Sequence, residues 1–124
     1  VRTREVRITG SRYVPPTNPK EIRKALKALT KAAASSAHPV ERAFILLTGI
    51  AYVQAFEDGN KRTSRVVSNA VLLAHDLPPL SYRSMDENEY KQSVIALYER
   101  HSLYHLKRIF LEQFRFASEN YFRS

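Results

Sequence analysis

The sequence predicts an all-α bundle of five helices preceded by one short β-hairpin. Apolar residues recur with a period near 3.6 over most of the 124 positions. Helix-start signatures stand at Asn18-Pro19 with Glu21, at Pro39, and at Asp86 with Glu89. Only three Gly and no Trp are present, which disfavours a sandwich built from many tight turns.

The hairpin is read from Val6 to Val14, where apolar and polar residues alternate around Gly10. It spans about residues 5–16, and Pro15-Pro16 end it because they offer no N–H to a ladder. The first helix starts at the Asn18 cap and places Ile22, Leu26 and Leu29 on one face, fading at 32–36. The second opens at Pro39 with Val40, Phe44, Leu47 and Ala51, and is apolar enough to be central to the core. Residues 55–59 form a loop. A third helix starts near Asn60, with Val66, Val67, Ala70, Val71 and Leu73 as its apolar face, and stops at His75 to Pro79. A capping box of Asp86 and Glu89 opens the fourth, through Ile95, Leu97 and Tyr98. Ser102 is the expected cap of the fifth, which carries Leu106, Ile109, Phe110, Phe114, Ala117 and Tyr121.

Length and composition bound the function classes. A chain of 124 residues is expected to form one domain over 1–124. With 44% hydrophobic and 26% charged residues it has the balance of a folded domain. No apolar run approaches the ~20 residues of a membrane-spanning helix. The absence of Cys excludes disulfides, thiolate metal sites and cysteine nucleophiles. A cytoplasmic location, or delivery into a host cell cytosol, is the expectation. The formal charge of +8 favours polyanionic partners. Nucleic acid ranks below a nucleotide, because no helix shows a readout motif.

Chemistry concentrates in Phe56-Glu57-Asp58-Gly59-Asn60-Lys61-Arg62-Thr63-Ser64-Arg65, which joins one helix end to the next helix start. A helix N-terminus offers unpaired N–H groups and the positive end of a dipole. Gly59 permits close backbone approach to an anion. Asn60 is placed to cap the helix and touch a phosphate oxygen. Arg62 and Arg65 share a helix face and suit bidentate phosphate contacts. Asp58 is placed to hold Mg²⁺, and Phe56 to anchor the loop in the core. A plain surface turn followed by a basic helix accounts for the same residues equally well. The segment is not a Walker loop, because no Gly-Lys-Ser/Thr follows the glycine.

The segment Gln54 to Arg65 resembles the Fic domain signature, His-x-Phe-x-Asp/Glu-Gly-Asn-x-Arg-x-x-Arg, at every specified position except the first. Gly10, Tyr13, Pro15 and Pro16 look like the end of that family's flap hairpin. Ser36 to Glu41 looks like the lead into the motif helix. Asn69, Leu72-Leu73, Pro78-Pro79 and Tyr90 look like its continuation. The resemblance implies a compact Fic-type helical bundle with the motif loop and helix at 54–75. It implies transfer of AMP from ATP to a target protein hydroxyl. Asp58 would coordinate Mg²⁺, while Gly59, Asn60, Lys61 and Arg62 would surround the α- and β-phosphates. Arg65 would reach toward the γ-phosphate. The flap residues Ile8, Thr9, Gly10, Ser11, Arg12 and Tyr13 would hold the target by strand addition.

Two positions depart from the pattern. Gln54 stands where the family has its general base, and a carboxamide cannot accept the hydroxyl proton. Losing a general base costs about 10²–10⁴-fold. We expect a weak or inactive site, native or engineered, over a base supplied by His38 or His75; those two read as residues of a cap region and a helix end. A nucleotide- or protein-binding pseudoenzyme is the alternative. Lys61 replaces a frequent Gly and is shared with the Doc phosphotransferase branch, whereas Arg65 argues for AMP transfer. Glu119-Asn120 resembles the end of the family's inhibitory motif, but Arg115 holds its Ser/Thr place, so an ordinary surface pair is expected. Phe110, Phe114, Phe116, Tyr121 and Phe122 fit core packing better than base stacking, with Phe116 and Phe122 as a possible homodimer surface.

Overall fold

A computed structural model describes residues 1–8, 10–82 and 85–120. Among these residues stand five helices: α1 (Pro19–Ser35), α2 (Pro39–Val53), α3 (Asn60–Ala74), α4 (Glu87–Arg100) and α5 (Tyr104–Asn120). None is long and apolar enough to cross a membrane.

Helix starts follow local chemistry. Asn18 Oδ1 accepts from the Glu21 N–H at 2.9 Å, and Pro19 occupies the first turn of α1. His38 caps α2 through Nδ1, which accepts from the Val40 N–H at 3.2 Å. Asp86 Oδ1 accepts from the N–H groups of Asn88 and Glu89 at 2.9 and 3.2 Å. The reciprocal arm of that box is engaged elsewhere, since the Glu89 carboxylate accepts from Arg108 of α5. Ser102 is not the cap of α5. That helix starts at Tyr104, and the Leu103 carbonyl accepts from the Lys107 N–H at 2.8 Å.

Helix α2 packs against both α1 and α3. Its contact with α1 is close: a Cβ on Gly49 would run into the Leu29 side chain. The α3 face turned inward differs from the expected one. Ser64, Ser68 and Leu72 are fully buried, whereas Val66 is 64% exposed and Leu73 51% exposed. Small hydroxyls win over larger apolar groups because they allow the backbones to approach. Ser68 Oγ donates to the Ala43 carbonyl of α2 at 2.8 Å, and Ser64 Oγ donates to its own helix at the Lys61 carbonyl. The main core gathers Leu47, Leu72, Tyr90, Leu106, Ile109 and Phe110 from four helices. A smaller cluster of Ile22, Val53 and Ala55 seats α1 beneath the motif loop. Phe110 and Phe114 pack in or against the core and Phe116 is exposed, while Tyr121 and Phe122 lie outside the described residues.

No strand is present among the described residues, so the hairpin expected at 5–16 is not seen; Thr9 lies outside them. The segment is held by side chains instead of a ladder. The Ser11 N–H reaches the Ile8 carbonyl at 3.1 Å, and the Arg12 N–H donates to Glu99 of α4 at 2.7 Å. The Tyr13 hydroxyl donates to the Tyr52 carbonyl at 2.7 Å, with its ring stacked on Tyr98 at 5.0 Å. A two-stranded hairpin is marginal alone, and here helices α2 and α4 supply the partners that a second strand would have supplied.

Candidate functional site

The motif loop is a closed unit. Helix α2 ends at Val53, and Gln54 turns the chain in the left-handed region with φ 53° and ψ 54°. Asn60 is buried and clamps the loop. Its Oδ1 accepts from the Phe56 N–H at 2.9 Å, and its Nδ2 donates to the Phe56 carbonyl at 2.7 Å and to Gln54 Oε1 at 3.1 Å. The Asn60 side chain is therefore bonded within the loop and does not cap α3. Gly59 is the N-cap, at φ 80°, and no side chain caps α3. The Thr63 N–H donates to the Gly59 carbonyl at 2.8 Å, and the amides of 60–62 precede it in the first turn of α3. Phe56 does not anchor the loop: it is 39% exposed, and Ala55 is the residue buried beneath it.

A cavity of about 310 Å³ opens at this mouth, lined by Asp58, Gly59, Asn60, Lys61 and Arg62. A Cβ on Gly59 would lie 2.9 Å from Arg62 Nη2, so the guanidinium folds over the glycine. Asp58 is an exposed carboxylate at the rim. No group of three or more His, Asp or Glu that could hold a metal occurs among the described residues. A lone rim carboxylate beside an anion cradle fits Mg²⁺, which takes its remaining ligands from phosphate and water.

A second cavity of about 520 Å³ adjoins the first, sharing Gln54 and Lys61 with it. Arg7 and Ile8 wall it on one side; Val94, Ile95 and Tyr98 of α4 wall it on the other. A Cβ on Gly10 would sit 3.8 Å from Ile95 Cδ1, which places that turn over α4. Gln54 stands between the two chambers with both amide hydrogens donated and its oxygen accepting one bond. Nε2 donates to the Ala51 carbonyl at 2.7 Å and to the Tyr98 hydroxyl at 3.2 Å, while Oε1 accepts from Asn60. Tyr98 in turn donates to Ala51 at 2.9 Å, and burial pushes its phenol well above the ordinary value. Neither group takes up a proton near neutral pH.

Neither His38 nor His75 lies beside Gln54. His38 caps the far end of α2 and His75 the far end of α3. Each is separated from Gln54 by 15 helical residues, about 22 Å at 1.5 Å per residue. His101 ends α4, and His105 lies on α5 beside Tyr104.

The two motif arginines part company. Arg62 lines the cradle, but Arg65 does not. Its guanidinium carbon lies 4.3 Å from the Tyr82 ring centroid and 4.5 Å from that of Tyr90. Its side chain is 21% exposed, with Nη1 3.9 Å from Glu87 Oε1 and with Nε and Nη2 buried without a partner. The other Glu87 oxygen is 3.5 Å from Lys61 Nζ. Burial raises the phenol pKa values of both tyrosines, against the pull of Arg65. Glu119 pairs with Arg115 at 3.7 Å, an ordinary surface pair.

Sequence reasoning missed Arg2, Glu87 and Tyr82, and missed Tyr98 as a partner of Gln54. Arg2 is buried and donates to the carbonyls of Gln54, Arg4 and Pro16, while its N–H donates to Ala55. It lashes the N-terminal segment to the motif loop. Only the spatial approach of residues 52 apart reveals this; no pattern around Arg2 signals it.

The Fic/DOC family profile matches residues 1–72. A protein adenylyltransferase Fic from Nematostella vectensis is 32% identical over 93 residues, which is 72% of this chain and 22% of that protein. The chain thus spans about a fifth of that curated relative. The crystal structure of the BepC protein of Bartonella tribocorum, a VirB-translocated effector with bound AMPPNP, superposes with a TM-score of 0.73. It is 17% identical, over 91% of this chain and 57% of that one, and shows the shared fold.

Proposed function

We propose that this chain, which belongs to the Fic/DOC family, is a nucleotide-binding domain of protein adenylyltransferase type whose transfer step is crippled at Gln54. The observation that carries the reading is the cradle: an uncapped α3 N-terminus, Gly59 at positive φ, and Arg62 folded over it. Amides, dipole and guanidinium all select for phosphate there. The adjoining chamber between Ile8 and Tyr98 has the size and apolar walls for a nucleoside. The adenylyltransferase name of the Nematostella relative and the AMPPNP bound to BepC agree with this reading.

In the transfer reaction, an acceptor hydroxyl attacks the α-phosphorus of ATP, the new O–P bond forms, and the bond to the bridging oxygen breaks as pyrophosphate leaves. The amides of 60–62 and Arg62 hold the phosphates and spread their charge. Asp58 would hold Mg²⁺, which supplies charge neutralisation when bound. A target segment lying along residues 7–13 would bring its hydroxyl to Gln54 from the Ile8 side. The proton of that hydroxyl has nowhere to go. Gln54 Oε1 already accepts from Asn60 and has no useful basicity.

Gln54→His tests this. Labelled AMP incorporation into protein hydroxyls should rise about 10²–10⁴-fold over the Gln54 form. No gain, with ATP still bound and the fold intact, would leave a nucleotide-holding module without transfer competence. Absence of ATP binding in calorimetry would remove both readings.

A further inference from the structure

We infer that the outward face of α1 docks the phosphodiester backbone of a nucleic acid duplex without regard to sequence, apart from the nucleotide cradle and independently of it. Helix α1 carries Lys20, Arg23, Lys24, Lys27 and Lys31 against one carboxylate, Glu21. That is a net +4 on 17 residues, half of the +8 of the whole chain. All five cations are exposed. With 3.6 residues per turn, the four lysines fall within an arc of about 60° and Arg23 lies on its flank, in a row about 17 Å long. The apolar face is already spent. Ile22 and Ala33 are buried, and Ile22 packs with Val53 and Ala55 while Ala25 and Leu26 close on that cluster. Those residues centre about 180° from the lysines, so the row points away from the motif loop.

The row is also uncompensated. Elsewhere Arg4, Lys61, Arg65, Arg108 and Arg115 are paired with acids. None of the five α1 cations has a hydrogen-bond, ion-pair or ring partner among the described residues. Glu21 is turned to Thr17, accepting from its N–H and its hydroxyl at 3.3 Å. Like charges three and four apart on a helix repel, so the bare row works against the helix that carries it. A polyanion reverses that sign. A duplex presents one negative charge per about 1.7 Å and gains counterion release when lysines replace its condensed ions. A straight row matches a linear polyanion. A membrane surface fits less well, because no exposed large apolar residue lies on α1 to sink among headgroups. Lysine is a point charge that holds a phosphate without reading base edges, so the contact needs no readout motif.

Fluorescence anisotropy tests this with labelled duplexes of about 20 base pairs, two DNAs of unrelated sequence and one RNA, between about 50 and 200 mM salt. The triple variant Lys24→Gln, Lys27→Gln, Lys31→Gln keeps helix propensity. The triple variant Arg100→Gln, Lys107→Gln, Arg115→Gln removes the same charge from exposed positions of α4 and α5. Thermal melts verify both folds. The two DNAs should bind within about threefold of each other, with log affinity falling linearly against log salt. The α1 variant should lose about tenfold or more at the lowest salt and flatten that slope by about 3, whereas the α4–α5 variant should lose about threefold or less. Binding of either duplex type supports the inference, and the tighter one identifies the source of the backbone. Equal losses in the two variants would show a response to net charge alone and overturn it. So would no binding of any duplex at the lowest salt, including the case in which phosphatidylserine vesicles bind instead. Each of these failures leaves the nucleotide cradle standing.

Discussion

The two walls of the site are built differently. The loop wall, Gln54 to Arg62, is closed within itself by bonds among residues at most six apart, with Asn60 reaching Phe56 twice and Gln54 once, and Arg2 ties it from outside. The α4 wall is assembled across the chain: Tyr98 meets Gln54 and Ala51, Glu87 meets Lys61 and Arg65, and Tyr13 stacks on Tyr98. The first wall carries its geometry, Gly59 at positive φ and an α3 start without a side-chain cap, in local bonds. The second decides how many cations that site exposes and whether a base stands beside it.

Asn60→Ala should break this contrast most severely. It leaves the Phe56 N–H and carbonyl without their partners, at about 2–4 kcal/mol in urea unfolding, and it should abolish nucleotide affinity. Arg62→Ala should sharpen it: affinity for ADP and ATP falls about tenfold or more, with the melting temperature unmoved, because the residue is exposed and charge-assisted bonds to phosphate are lost. Tyr98→Phe keeps the ring stacked on Tyr13 but removes the link from α4 to Gln54 and Ala51. A loss of about 1–2 kcal/mol is expected, with nucleotide affinity kept within about threefold.

The buried phenols give the α4 wall a pH signature. In the folded state burial raises the pKa values of Tyr13, Tyr82 and Tyr98 above the ordinary phenol value of 10.0. A raised pKa contributes stability that is fully present below 10.0 and is lost as pH climbs toward the folded-state values. Denaturation midpoints should therefore fall steeply above pH 10, and Tyr98→Phe should flatten that fall. The Arg4–Glu57 pair, 2.8 Å apart on an exposed surface, should give the smallest effect: Arg4→Ala shifts the melting temperature by about 1 °C or less.

Much of the fold was legible because helix starts are local events. Asn18, Asp86 and Pro19 act within one turn of themselves, and the structure places them where the sequence does. The inward face of α3 was not legible. Hydrophobicity points to Val66 and Leu73, yet the helix turns Ser64 and Ser68 inward, because close backbone approach and the bond to Ala43 outweigh apolar bulk at that crossing. The N-terminal segment alternates like a strand but finds its partners on α2 and α4. Within the motif, Gly59 turns at positive φ and Arg62 lines the same cavity. Arg65, three residues from Arg62, is drawn away by two tyrosines and a glutamate that no spacing rule connects to it.

What the chain determines by itself is therefore the helical architecture and the local turn of the motif loop, since capping, periodicity and a glycine at positive φ act over a few residues. The arrangement of α4 and the N-terminal segment around that loop decided the rest: which cation faces the cavity, and that Gln54 is a brace between Ala51, Tyr98 and Asn60. Those outcomes depend on charges and rings brought together from distant positions, where the energy comes from burial and approach and leaves no local pattern to read.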